Sequence, residues 1–200
     1  MQTELEAKFL DIDPDSIREK LRQLGARLVY PEVLMRRRNF DFPDWRLDKV
    51  GAWVRVRDEG DKVTLSFKQL FDRTLQGTKE ALVEVSDFQD ACRILEHMGL
   101  QEKSYQETKR EKWMLGAAEV VIDTWPWVPS FLEIEGPDEK TIEEAAACLG
   151  LPMSGAKHGS VEIVYQNYFD VSEYQIDHCP VYNFGPIPDW LKGRERIKNK

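Results

Sequence analysis

Two Glu-x-Glu pairs are the residues of this 200-residue chain best suited to chemistry: Glu4 and Glu6, with Lys8 two positions on, and Glu133 and Glu135. On a β-strand alternate side chains share a face, so each pair sends both carboxylates to one side and leaves Leu5, Ala7, Phe9 and Ile134 on the other. One such strand is explained by solubility alone. Basic residues recur with the same alternation, however. Arg55 and Arg57 stand opposite Val54 and Val56, and Lys68 shares its face with Thr64 and Ser66. Further acids follow at Glu80, Glu84, Glu119 and Asp123. Carboxylates drawn from separate strands are hard oxygen ligands suited to Mg²⁺ or Mn²⁺. Arginine forks and lysine point charges suit phosphate. A polyphosphate bound together with a divalent cation would neutralise both sets. Without one the face is costly, since unit charges about 4 Å apart interact by about 4 kcal/mol at a partly screened dielectric.

The elements that must position these residues are legible from periodicity and caps. Asp13-Pro14 opens a helix carrying Ile17, Leu21 and Leu24 and closed by Gly25; Asp87 opens another with Ala91, Ile94, Leu95 and Met98, closed by Gly99; a third runs from 141 to 149 and ends at Gly150. Strands are expected over 28–42, 52–58, 63–68, 80–85, 102–115, 119–123 and 131–135, with a hairpin at Glu59-Gly60-Asp61 and a turn at Gly116. Leu82 interrupts the polar face of its strand. The run Arg36-Arg37-Arg38 has no alternation to fix its facing, and Arg38 is expected to reach the mouth of the site. Strand, acidic cap, helix and Leu/Met-Gly recur three times, an echo of an internally related sheet. A last helix from Ser160 carries Val161, Val164, Tyr165, Tyr168 and Phe169, and the aromatic and proline-rich stretch 174–190 reads as irregular chain. Trp125 and Trp127, next to Pro126 and Pro129, are expected to pack their loop rather than stack on a base. If the strands curl into a barrel, the charged faces become its lumen and the apolar faces lie outside under the helices.

Composition narrows the function classes. With 42% hydrophobic and 32% charged residues the chain suits one globular domain. A formal charge of −8 and a pI near 5.1 argue against general nucleic-acid binding and against anionic membranes. Cys92, Cys148 and Cys179 are odd in number and widely spaced, which fits reduced thiols in the cytoplasm and neither a disulfide framework nor a zinc site. No leader and no long apolar run is evident, so neither secretion nor a membrane span is expected.

The order of these motifs resembles the CYTH superfamily, the triphosphate tunnel metalloenzymes, which include class IV adenylate cyclases, thiamine triphosphatases and inorganic triphosphatases. Glu4, Glu6 and Lys8 match its N-terminal Glu-x-Glu-x-Lys, and Arg55, Arg57 and Lys68 its paired basic strands. Glu84 resembles its fifth-strand acid, Arg110 with Trp113 its later basic residue, and Asp123, Glu133 and Glu135 its final acids; the match runs over about residues 2–150. The resemblance implies an α+β fold, an eight-stranded antiparallel β-barrel, or triphosphate tunnel, with helices packed outside, spanning 1–170 and followed by an irregular extension over 171–200. It further implies Mg²⁺ or Mn²⁺ held by Glu4, Glu6, Asp123, Glu133 and Glu135, and a triphosphate held by Lys8, Arg55, Arg57, Lys68, Arg110 and Lys112. Glu84 and Lys8 would serve catalysis, Glu84 by orienting water. The chain departs from the family pattern at Arg36-Arg37-Arg38-Asn39-Phe40 and at Leu82, which bears on substrate identity. Metal-dependent hydrolysis of a small-molecule triphosphate is the expected function, with cyclisation of ATP and non-catalytic polyphosphate or nucleotide binding as alternatives.

Overall fold

Alternation and capping produce the expected elements in a computed structural model that describes residues 1–196. In order they are β1 (Gln2–Glu4), β2 (Glu6–Phe9), α1 (Pro14–Gln23), β3 (Arg27–Asp41), β4 (Ala52–Asp58), β5 (Val63–Leu70), β6 (Thr78–Val85), α2 (Phe88–His97), β7 (Gln101–Leu115), β8 (Ala118–Thr124), β9 (Phe131–Glu135), α3 (Glu139–Cys148), α4 (Glu162–Tyr168), α5 (Glu173–Asp177) and β10 (Val181–Tyr182). Asp13, Asp87 and Asp138 each accept a hydrogen bond from a first-turn amide of the helix they precede, satisfying a donor that the helix itself leaves unpaired.

The strands form one sheet in the order β1-β6-β5-β4-β3-β7-β8-β9-β2, with β10 added alongside β7. The expected eight-stranded closed barrel is therefore corrected: among the described residues there are ten strands, and their ladder does not close. The reason lies at Leu5. The N-terminal stretch pairs β6 through Gln2–Glu4 and β9 through Glu6–Phe9, so each half uses only one edge. At the break the Leu5 carbonyl accepts from Gly136 N at 3.2 Å. Covalent chain, not a ladder, joins the two ends of the sheet.

The outer face is covered as the periodicity requires. Ala7, Phe9, Val120, Ile122, Leu132 and Ile134 pack with Ile17 and Leu21 of α1 and Ile142 and Ala146 of α3, while Phe40 and Val56 meet Ala91 and Leu95 of α2. The tail is not irregular throughout. Ser172 forms a capping box with Gln175 at the start of α5, and β10 pairs parallel with β7 through Val181↔Tyr105 and Tyr182↔Gln106. Elements of five and two residues are too short to display a period. Tyr182, Tyr165 and Leu191 are buried there with Trp125 and Phe131. Among the described residues no helix is long and apolar enough to cross a membrane.

Candidate active site

The inner face of the sheet lines a cavity of about 450 Å³. Register decides what meets there, because residues directly opposite on neighbouring strands share a face. Arg37 stands opposite Arg57 and Asn39 opposite Arg55; Lys68 faces Glu80 and Arg110 faces Asp123. Across β2, β9 and β8, Glu6 and Glu119 both lie opposite Glu135, and Lys8 opposite Glu133. Lys8, Arg55, Arg57, Lys68, Arg110, Lys112, Glu4, Glu6, Asp123, Glu133 and Glu135 all line the cavity.

One sector is dominated by cations. Arg37 and Arg55 are 5% and 8% exposed. Arg37 donates to Thr108 Oγ1 at 2.5 Å and lies 4.9 Å from the Trp125 ring centroid; Arg55 donates to Glu80 at 3.0 Å. The Nε atoms of both arginines are buried without a partner. Burial, then repulsion from Arg57, Arg55 and Arg110, pushes Arg37 well below the usual arginine range. Burial and Arg57 push Arg55 down to about 10. Arg57 is paired with Glu59 at 2.6 Å, and Glu59 also accepts from Thr64 at 2.9 Å. Arg110 donates to both oxygens of Asp123 and to Glu133 at 2.7 Å; burial opposes its charge, but these two acids hold its pKa well above the ordinary value.

The other sector is acidic. Lys8, fully enclosed, bridges Glu6 at 2.6 Å and Glu133 at 3.2 Å; burial works against its charge, yet these acids push its pKa up. Lys68 binds Glu4 at 2.6 Å. Burial pushes Glu4 up to about 7 against the pull of Lys68, with Glu80 adding to the rise. Burial also opposes ionisation of Glu80, but Lys68, its hydrogen bond to Glu4 and Arg55 bring it down to about 2. Glu135, reachable from the cavity mouth, is pushed up to about 7 by desolvation and then by Glu119 and Glu6. Lys112 pairs with Glu119 and Lys8 with Glu6, and among the described residues no cation forms an ion pair with Glu135.

Three of the residues singled out in the sequence sit differently from the rest. Glu84, taken as a water-orienting acid, shares the inner face opposite Thr64 but sits at the rim, 68% exposed and 3.6 Å from Lys62, outside the cavity wall. Arg37, not Arg38, enters the site; Arg38 pairs with Glu102 at 3.3 Å and lies over Phe88. Asp123 is wholly buried, and both its oxygens accept from Arg110. Arg37 and Glu59 are the members missed in the sequence, one because three successive arginines show no alternation, the other because it lies in the hairpin turn. Trp127 packs its loop, donating to Gly185 O at 3.1 Å, whereas Trp125 also lines the cavity.

Among the described residues no three His, Cys, Asp or Glu side chains form a ready-made metal cage. Mg²⁺ does not need one, since it keeps several waters and binds through one or two carboxylates with substrate phosphates completing its shell. Glu6, Glu119 and Glu135, opposite one another in register, are like charges that repel unless a cation or proton intervenes. Desolvation first, and then Glu119 and Glu6, raise the pKa of Glu135, and carboxylates of this kind suit a divalent cation.

The CYTH domain model matches residues 2–154. The chain belongs to the CYTH family. No curated protein matches it, but solved structures share the fold. A Pyrococcus horikoshii protein is 21% identical with a TM-score of 0.66, covering 80% of this chain and 98% of its own. A Vibrio parahaemolyticus protein provisionally named an adenylate cyclase is 15% identical with a TM-score of 0.71, covering 82% and 98%. A Hippeastrum protein provisionally named an adenylyl cyclase and described as having a dominant triphosphatase activity is 14% identical with a TM-score of 0.54, covering 88% and 95%. At these identities the likeness concerns the fold, and in this CYTH chain the fold is what brings the two charged sectors together.

Proposed function

We propose that this CYTH protein is an enzyme that hydrolyses the terminal phosphate of a triphosphate with Mg²⁺ or Mn²⁺. The observation that carries this is the division of the cavity. Arg37 and Arg55 are buried cations with unpaired Nε donors, while Glu4 and Glu135 are acids pushed up to about 7. An anion relieves the first sector and a cation the second, and a metal-bound triphosphate supplies both.

Phosphoryl transfer asks a protein mainly for positioning and charge stabilisation. Arg37, Arg55 and Arg57 project from adjacent strands and offer donors along a linear phosphate chain. Arg110, oriented by Asp123 and Glu133, adds a guanidinium held in place before substrate arrives. Lys68 and Lys112 contribute point charges from β5 and β7. Lys8 stands between Glu6 and Glu133, where the sectors meet, and is placed to neutralise charge building on the transferred or departing phosphate. Glu6, Glu119 and Glu135, with Glu4 beside them, would hold the divalent cation, which when bound supplies charge neutralisation and a more acidic water.

A second reading, a class IV adenylate cyclase, is favoured by one feature: the cavity wall continues past the arginines to Ser104, Trp125 and Tyr182, where a nucleoside could lie. Incubation with inorganic triphosphate, ATP or thiamine triphosphate and Mg²⁺ or Mn²⁺, with phosphate, pyrophosphate and cyclic AMP resolved, separates the readings. Orthophosphate from inorganic triphosphate is expected. Cyclic AMP from ATP with inorganic triphosphate untouched would assign the cyclase, and binding without turnover would leave a polyphosphate-binding protein.

A further inference from the structure

The segment beyond the family match builds a wall of its own. α4 and α5 bring Glu162 and Asp177 to the cavity beside Lys103 and Asp48. Glu162 is only 8% exposed, and its Oε2 has no hydrogen-bond partner. The nearby cations are committed elsewhere: Lys103 is paired with Asp48, and Arg73 with Glu173 at 2.5 Å. Among the described residues no cation forms an ion pair with Glu162 or Asp177. Burial, then Asp177, pushes Glu162 up to about 8, and burial raises Asp177 in spite of Lys103. Two carboxyl groups thus face one another in the cavity wall, short of a positive partner.

Their position relative to the arginines is set by β7. Along that strand Arg37 lies opposite Gln106, three residues from Lys103 (106 − 103) and on the order of 10 Å away, while Arg110 is seven residues from it (110 − 103), on the order of 23 Å at about 3.3 Å per residue. Trp125 and Tyr182 lie between. Trp125 carries Arg37 over its ring and meets Tyr182 edge-on at 6.3 Å, and Tyr182 is fixed beside Gln106 by the β10–β7 pairing. A triphosphate gripped by Arg37, Arg57 and Arg110 therefore directs whatever is esterified to it past two aromatic rings toward the acid pair.

We propose that Glu162 and Asp177, beyond Trp125 and Tyr182, receive a protonated amine at the far end of an esterified triphosphate, a specificity that rests on the triphosphate function proposed above. An ammonium brings three donors to two carboxyl groups. A bare polyphosphate end is repelled there. Among the described residues no group of three His, Cys, Asp or Glu side chains is arranged to hold a metal there.

The test compares the triphosphate ester of an aminoalkyl alcohol with that of the alkyl alcohol of equal length, in binding by calorimetry without added metal and in kcat/KM with Mg²⁺. The wild-type protein is expected to favour the amino ester by a factor on the order of ten in both, the yield of one charge-assisted contact. In Glu162→Gln, and independently in Asp177→Asn, the ratio should fall to about one, with folding of each variant verified by circular dichroism. Equal binding of the two esters by the wild type, while inorganic triphosphate is still hydrolysed, would overturn the end-group assignment alone. If neither ester nor inorganic triphosphate were turned over, the hydrolase function would fail, and the calorimetric ratio would still decide the end-group site.

Discussion

Replacing Arg37 should change stability and ligand affinity in opposite directions. Without a bound anion its charge is disfavoured by burial, repelled by Arg57, Arg55 and Arg110, and attracted by Asp123. At an effective dielectric of about 20 and separations of about 5–10 Å, each such pair is worth roughly 2–3 kcal/mol; Glu59, Glu80 and Glu133, paired with those arginines, offset much of the repulsion, which leaves a net of at most a few kcal/mol. Against that stand the hydrogen bond to Thr108, about 1 kcal/mol, and the cation–π contact with Trp125, about 1 kcal/mol. Arg37→Met is therefore expected to leave the ligand-free protein unchanged or stabilised by up to about 2 kcal/mol, roughly 2–4 °C in Tm per kcal/mol for a chain of this size. Inorganic triphosphate loses one charged donor set, about 1.5–3 kcal/mol, and should bind ~10–150-fold more weakly. Thermal melts in chelator-treated, phosphate-free buffer and titration calorimetry of the same preparations measure both quantities. A ligand-free variant destabilised by more than about 1 kcal/mol with unchanged triphosphate affinity would refute the assignment of Arg37 as an anion-seeking cation, because that is the pattern of a purely structural arginine.

Asp123→Asn should cost about 3 kcal/mol even without ligand, because it leaves Arg110 buried and under-compensated; a denaturant midpoint equal to wild type would show that Glu133 suffices. Glu135 is raised from 4.5 to about 7, so the folded state binds the extra proton and its contribution to stability falls as pH rises from 4.5 through 7. Glu135→Gln should then be the more stable protein at pH 8 in metal-free buffer, with the difference vanishing below pH 4.5, and should bind Mn²⁺ more weakly by titration; parallel stability profiles across pH would contradict the desolvation of Glu135 and its crowding by Glu119 and Glu6. Glu162, raised from 4.5 to about 8, has the same sign over a wider window, and urea melts between pH 5 and 9 should show wild-type stability dropping by a few kcal/mol relative to Glu162→Gln.

Strands with strict alternation and the capped helices are legible in the residues alone, because a period of two and a cap residue are local properties that burial of one face enforces. The facing of Glu4, Glu6, Lys8, Arg55, Arg57, Lys68, Glu133 and Glu135 was legible for that reason. Tertiary structure decided the rest. Only the pairing register of β3 with β4 and β7 turns Arg37 rather than Arg38 inward, since a run of three arginines carries no period and a shift of one residue exchanges faces. Only the finite depth of the cavity leaves Glu84 at the rim although its strand faces the right way. The break at Leu5 keeps the ladder open because the two halves of one strand choose different neighbours. The acid pair of the tail depended on folding most of all: Glu162 and Asp177 lie on separate short helices, and no sequence period relates two side chains that meet through packing alone.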